Sequence, residues 1–218
     1  MSSPTNRTVF IIDDDPDIRA SMRRLLKSVG LRAELFASPQ DFLQQKMPEG
    51  PSCLVLDMRL PGTNGLEVQR NLIKTGVNIP IIFITAHGDI PMTVRAMKSG
   101  AVEFLTKPFR DQDLLDAIEQ ALQRDQAVRQ QQSEIAELQE RYRTLTARER
   151  QVMELLVSGM QTKQIAANLG TSEITAAVHR GRVMHKMLAG SPAELGRMAE
   201  RLKLPAEDLP ERDDRTAN

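Results

Sequence analysis

From Thr8 to about Leu122, short apolar runs alternate with stretches whose apolar residues recur at helical spacing, the pattern of βα units around a parallel sheet covered on both faces. The runs are Val9 to Ile12, Ala33 to Phe36, Cys53 to Leu56, Ile79 to Thr85 and Val102 to Leu105. Between the first two, Ile18, Met22, Leu25, Leu26 and Val29 form one helical stripe. Ser38-Pro39 supplies an N-cap followed by Pro at the first helical position. The repeat predicts an α/β, flavodoxin-like, five-stranded parallel sheet over residues 1–124, with ligands at the carboxyl edge of its strands.

A fifth helix is predicted from near Asp111, its apolar positions continuing as Leu114, Ala117, Ala121, Val128, Ile135, Leu138, Tyr142 and Leu145. They follow a heptad seam interrupted by Arg124 and Gln131. Residues 125–143, rich in Gln, Glu and Arg without Gly or Pro, read as a linker helix, either paired with a second copy or a solvated spacer. Residues 144–204 read as an all-α module of four short helices. Thr146-Ala147-Arg148-Glu149 is a capping box, Gly159 ends that helix, Thr162 opens the next, Gly170 turns into a helix from Ser172 to Met187, and Pro192 begins the last. Helix, short turn, helix is the geometry that puts a second helix into the major groove. The acidic tail, 205–218, is expected to be disordered.

Charge changes this picture only when it is divided. The chain has 29 basic and 29 acidic residues, which as a sum argues against nucleic acid. Residues 1–124 carry 15 of each, 125–143 three basic and four acidic, 144–204 nine basic and five acidic, and the tail two basic and five acidic. The helical module is therefore basic. No Trp and one Tyr argue against aromatic stacking of single strands. One cysteine excludes an intramolecular disulfide, and no zinc set exists. No apolar stretch approaches the roughly 20 residues of a membrane helix, and the N-terminus lacks a secretory pattern, so a cytoplasmic chain with no membrane partner is expected.

The strand ends carry the chemistry: Asp13, Asp14 and Asp15 after the first run, Asp57 after the third, Thr85 after the fourth and Lys107 after the fifth. In a parallel sheet these residues converge. Carboxylates that close repel one another unless a cation intervenes, and a hard ion such as Mg²⁺ resolves the conflict and brings a phosphoryl group with it. One carboxylate is then a nucleophile, with Lys107 and Thr85 neutralising the transferred oxygens.

These residues, with Asp57-Met58-Arg59-Leu60-Pro61-Gly62, Gly65 and Lys107-Pro108, resemble the receiver domain of two-component response regulators. The resemblance implies Asp57 as phospho-acceptor, and Asp13, Asp14, Asp57 and the Arg59 backbone carbonyl as ligands of Mg²⁺ (or Mn²⁺). It implies Thr85 as switch hydroxyl, Phe104 as switch aromatic, Lys107 as phosphoryl stabiliser, a cis peptide at Lys107-Pro108, and Arg59 and His87 as tuners of the phosphoryl lifetime. The C-terminal module resembles the LuxR-type helix-turn-helix of the FixJ/NarL family, and the stretch from His87-Gly88-Asp89-Ile90-Pro91-Met92 to Lys107-Pro108-Phe109 is similar to the FixJ/StyR branch. By that likeness Ala176, His179, Val183 and Met187 form the buried stripe of the second helix. Thr162, Lys163, Ala177, Val178, Arg180, Gly181, Arg182 and Lys186 face DNA.

The expected function is a phosphorylation-controlled transcription regulator. A cognate sensor histidine kinase, double-stranded promoter DNA and RNA polymerase are its partners, with homodimerisation on phosphorylation. It is no enzyme beyond its own aspartyl phosphorylation and dephosphorylation. Two alternatives use the same residues: a phosphatase of the haloacid dehalogenase type, whose motif Pro16 and Asp17 do not follow, and a receiver whose helical C-terminus binds protein or RNA.

Overall fold

A computed structural model describes residues 7–86, 88 and 90–202. Its two compact units are Met1–Gln130 and Gln131–Asn218. In the first, strands β1 (Thr8–Ile12), β2 (Arg32–Phe36), β3 (Ser52–Asp57), β6 (Ile81–Thr85) and β7 (Glu103–Thr106) form one parallel sheet in the order β2-β1-β3-β6-β7. Helices α1 (Pro16–Ser28), α2 (Pro39–Leu43), α3 (Gly65–Lys74), α4 (Ile90–Lys98) and the start of α5 (Asp111–Arg143) cover it. This is the doubly wound arrangement expected. A hairpin the hydrophobic pattern did not announce, β4 (Arg59–Leu60) with β5 (Thr63–Asn64), turns at Gly62, whose φ of +77° lies in the left-handed region that a side chain resists.

The two-residue period of the strands sorts the core into two layers. Val9, Ile11, Cys53, Val55, Ile82 and Ile84 face Met22 and Leu26 of α1 and Leu114, Ile118 and Leu122 of α5. Phe10, Ile12, Leu54, Leu56 and Phe83 face Phe42 of α2, Val68 and Leu72 of α3 and Ala96 of α4. The Leu114–Ala121 part of the heptad seam is thus core of the first unit. Val29, expected on the α1 stripe, is instead its exposed C-cap, because the helix ends at Ser28 before Gly30 at φ +76°. The fourth strand begins at Ile81 rather than Ile79, and the fifth at Glu103 rather than Val102.

Beyond residue 124 the first unit holds a buried polar clamp. Asp125, 4% exposed, accepts from the Ser52 backbone N–H (2.8 Å) and from Arg129 Nε (2.5 Å), while the Arg129 guanidinium reaches the Pro48 carbonyl at 3.1 Å. Val128, next on the seam, is exposed.

The second unit contains α6 (Ala147–Val157), α7 (Thr162–Asn168), α8 (Glu173–Met187) and α9 (Pro192–Arg201). Val152, Met153, Leu156, Ile165, Ala176, Val183, Met187 and Leu195 form its core. The Thr146/Glu149 capping box is present, and Ser172 and Ser191 cap α8 and α9 by accepting from the Thr175 and Glu194 backbone N–H groups. His179, expected in the buried stripe, is half-buried, with its Nδ1 enclosed and unpartnered. The tail, 205–218, and His87 lie outside the described residues.

Candidate phosphoryl pocket and helix-turn-helix face

At the carboxyl edge of the sheet, residues from β1, β3 and β7 meet. Asp13 follows β1, Asp57 ends β3 and Lys107 follows β7. Lys107 Nζ donates to Asp13 Oδ2 at 2.7 Å and to Asp57 Oδ2 at 2.6 Å, so one ammonium bridges two carboxylates separated by 44 residues. The remaining carboxylate oxygens are held by backbone: Asp13 Oδ1 accepts from the Asp15 N–H at 2.9 Å, and Asp57 Oδ1 from the Arg59 N–H at 2.8 Å. Asp13 is fully buried and Asp57 is 7% exposed.

The electrostatics follow from this enclosure. Burial, against the pull of Lys107, raises the Asp13 carboxyl above its ordinary value. Burial also disfavours the Lys107 ammonium, but its hydrogen bonds and charge attraction to Asp13 and Asp57 outweigh that and raise its pKa. The ammonium therefore stays charged. Asp13, exposed Asp14 and Asp57 each offer an oxygen within 4.8 Å of the others. Three hard oxygen donors set so close, with one ammonium against three negative charges, suit a hard divalent cation, whose metal–oxygen distances of about 2.0–2.6 Å need only small side-chain movements here.

The expected switch residues sit beside this pocket. Thr85 is fully buried at the end of β6, and its carbonyl accepts from the Lys107 N–H at 2.7 Å. The peptide Lys107-Pro108 is cis. Phe104 is half-buried, its ring 6.5 Å from that of Phe83 and tilted by 47°. Gly88 lies against that ring: a Cβ there would stand 2.8 Å from Phe104 Cε1. Arg59 is exposed. Cys53 is buried in β3, and burial pushes its thiol well up, away from any nucleophilic role.

In the second unit α7 and α8 form the helix-turn-helix, with Gly170 at φ +59° in the turn. Lys163, Ala177, Val178, Gly181 and Arg182 are exposed. Arg180 is half-buried and donates to Thr162 Oγ1 at 3.1 Å, which ties α8 to the start of α7. Lys186 is committed elsewhere: its ammonium donates to Glu149 Oε2 at 2.6 Å and to the Thr144 carbonyl at 2.9 Å. Glu149 is 2% exposed, and its contacts to Lys186 and the Thr146 backbone N–H hold its carboxyl below the usual range. The capping box was legible in the sequence. The partner 37 residues away was not, and neither was the Asp125–Arg129 clamp, whose charges look solvated in a polar stretch.

Known proteins match both units. The response regulator receiver domain family matches residues 9–119, and the luxR family of bacterial regulatory proteins matches 143–199. Nodulation protein W of Bradyrhizobium diazoefficiens is 52% identical over 202 residues, covering 93% of this chain and 89% of that one. The transcriptional regulatory protein FixJ of Rhizobium meliloti is 41% identical, covering 89% and 96%. Among solved structures, the response regulator StyR is 49% identical, with a TM-score of 0.82 over 90% of this chain and 99% of that one. Full-length FixJ from B. japonicum is 38% identical, with a TM-score of 0.54 over 89% and 96%. The chain belongs to the two-component response regulators, as a FixJ-like transcription regulator with a receiver and a LuxR-type DNA-binding domain.

Proposed function

We propose that phosphorylation of Asp57 controls binding of this cytoplasmic regulator to promoter DNA. The observation that carries the reading is the Lys107 ammonium bridging Asp13 and Asp57 at the carboxyl edge of the sheet. A cognate sensor histidine kinase presents a phosphohistidine. An Asp57 carboxylate oxygen attacks its phosphorus, the P–N bond breaks, and the electron pair stays on the imidazole. Asp13, Asp14, Asp57 and the Arg59 carbonyl would hold Mg²⁺, or Mn²⁺, which neutralises phosphoryl oxygens when bound. Lys107 follows the new negative charge, and the Thr85 hydroxyl turns to a phosphoryl oxygen. Phe104 then repacks against Phe83 and the loop at Gly88. Arg59 and His87 tune the phosphoryl lifetime.

The readout is dimerisation through α4 and α5. Ile90, Val94 and Met97 support it: they lie one helical face apart on α4 and are 81%, 44% and 40% exposed. Residues 125–143 act as the linker, 144–204 as the DNA module and 205–218 as an acidic tail. Lys163, Arg180 and Arg182 meet phosphates or base edges, with Thr162 orienting Arg180, while Ala177, Val178 and Gly181 approach the bases. Lys186, held by Glu149, positions α8. RNA polymerase is the expected downstream partner.

The test is peptide mapping after reaction with acetyl phosphate and Mg²⁺, with sedimentation on the same sample. One phosphoryl group on Asp57 and a faster-sedimenting species are expected, both absent in Asp57→Asn. A label on another residue, or dimerisation that survives in Asp57→Asn with the same acetyl phosphate dependence, overturns the reading.

A further inference from the structure

The recognition helix presents apolar side chains to solvent where polar ones would be expected. At about 100° per residue, Ile174, Ala177, Val178 and Gly181 fall on one face of α8. That face lies opposite Ala176, Val183 and Met187, which pack in the core. Ile174 is 79% exposed and Val178 48%, while a Cβ at Gly181 would meet nothing within 4 Å. Neither Ile174 nor Val178 contributes to the core of the unit, so folding gains nothing from their apolar character.

The charges around this face name its occupant. Arg182 stands beside the strip, exposed, and Arg180 is steadied on the other flank by Thr162. Lys163 is exposed on the first turn of α7. An apolar strip flanked by cations, on the second helix of a helix-turn-helix whose N-terminus is capped by Ser172, fits a major groove with phosphates at its edges and apolar groups on its floor. In B-DNA the floor offers one strongly apolar group, the thymine 5-methyl. Ile174 and Val178 offer no hydrogen-bond donor or acceptor, so bidentate reading of guanine or adenine from these two positions is impossible.

We infer that Ile174, Ala177 and Val178 read thymine methyl groups, so that each half-site of the operator is specified by thymines at the positions facing this strip. The inference rests on the duplex-DNA function proposed above and adds the chemistry by which bases are chosen. Gly181 lets the helix backbone approach the groove floor without a side chain between.

The experiment selects duplexes from a random-centre library with the full chain, after acetyl phosphate and Mg²⁺, and then replaces each thymine of the selected duplex singly by deoxyuridine, which removes only the methyl. Loss of one buried methyl is expected to weaken binding about fourfold at the contacted thymines and not elsewhere. The double variant Ile174→Ser, Val178→Ser, whose altered side chains are exposed, is expected to lose most of that difference between thymine and deoxyuridine duplexes, Ala177 alone retaining its share. If no thymine in the selected duplex responds to its methyl, or if the double variant keeps the full response, the inference is overturned. Failure to retain any duplex in either phosphorylation state would overturn the DNA-binding reading beneath it.

Discussion

Gly65 offers a test of how the fold sets the Asp57 carboxylate. It is the first residue of α3, is buried, and its N–H donates to the Met58 carbonyl at 2.9 Å. A Cβ there would stand 2.8 Å from Phe83 Cε1, 3.2 Å from the Asp57 carbonyl oxygen and 3.2 Å from Met58 Cα. Two of these neighbours are backbone, and the third belongs to a ring with no exposed surface, so none yields by rotating a flexible side chain. Its φ is not left-handed, so Gly65→Ala isolates the steric cost. Overpacking of this kind costs about 1–3 kcal/mol, against a gain of at most about 1 kcal/mol from replacing glycine in a helix. The steric effect wins. Gly65→Ala should lose about 1–2 kcal/mol in urea unfolding followed by circular dichroism. The displaced Asp57 main chain should slow acetyl phosphate labelling by up to about tenfold. A variant as stable as the parent, labelled at the same rate, would refute the argument that this close approach sets the pocket.

Lys107→Gln removes the cation shared by Asp13 and Asp57; phosphorylation should slow by about 10²–10³-fold while Mg²⁺ binding, followed by titration, is not weakened, because the carboxylates lose a competing charge. Glu149→Gln should destabilise the second unit by about 2–4 kcal/mol, read through Tyr142, the chain's single Tyr, which packs on that core with Arg150 over its ring at 5.1 Å. Because the folded Glu149 carboxyl lies below its ordinary value, its stabilisation is present at neutral pH and is lost as pH falls through and below about 4.3, so the gap between parent and variant should narrow in acid.

The sheet and its carboxyl-edge pocket were legible because short apolar runs, the mark of strands buried on both faces, alternate with helical spacing, and each pocket residue lies at the end of such a run. Asp13, Asp57 and Lys107 meet as that placement requires. Features resting on pairing across the chain were not legible. Lys186 looks like an unpaired cation until its bond to Glu149 is seen, and Asp125 looks solvated until the Ser52 N–H is found on it. The β4–β5 hairpin escaped because two-residue strands carry no periodicity. Val29 continues the helical spacing of the α1 stripe, yet α1 stops at Ser28, an end that spacing alone does not mark.

The central claim is that the Asp57 pocket governs the basic module, and fluorescence-anisotropy titration of a selected duplex tests it most directly. The parent chain with acetyl phosphate and Mg²⁺ should bind at least about fivefold tighter than without them, with affinity falling steeply as salt rises, and Asp57→Asn should show no such gain. Equal affinity with and without acetyl phosphate, or an undiminished gain in Asp57→Asn, would contradict it.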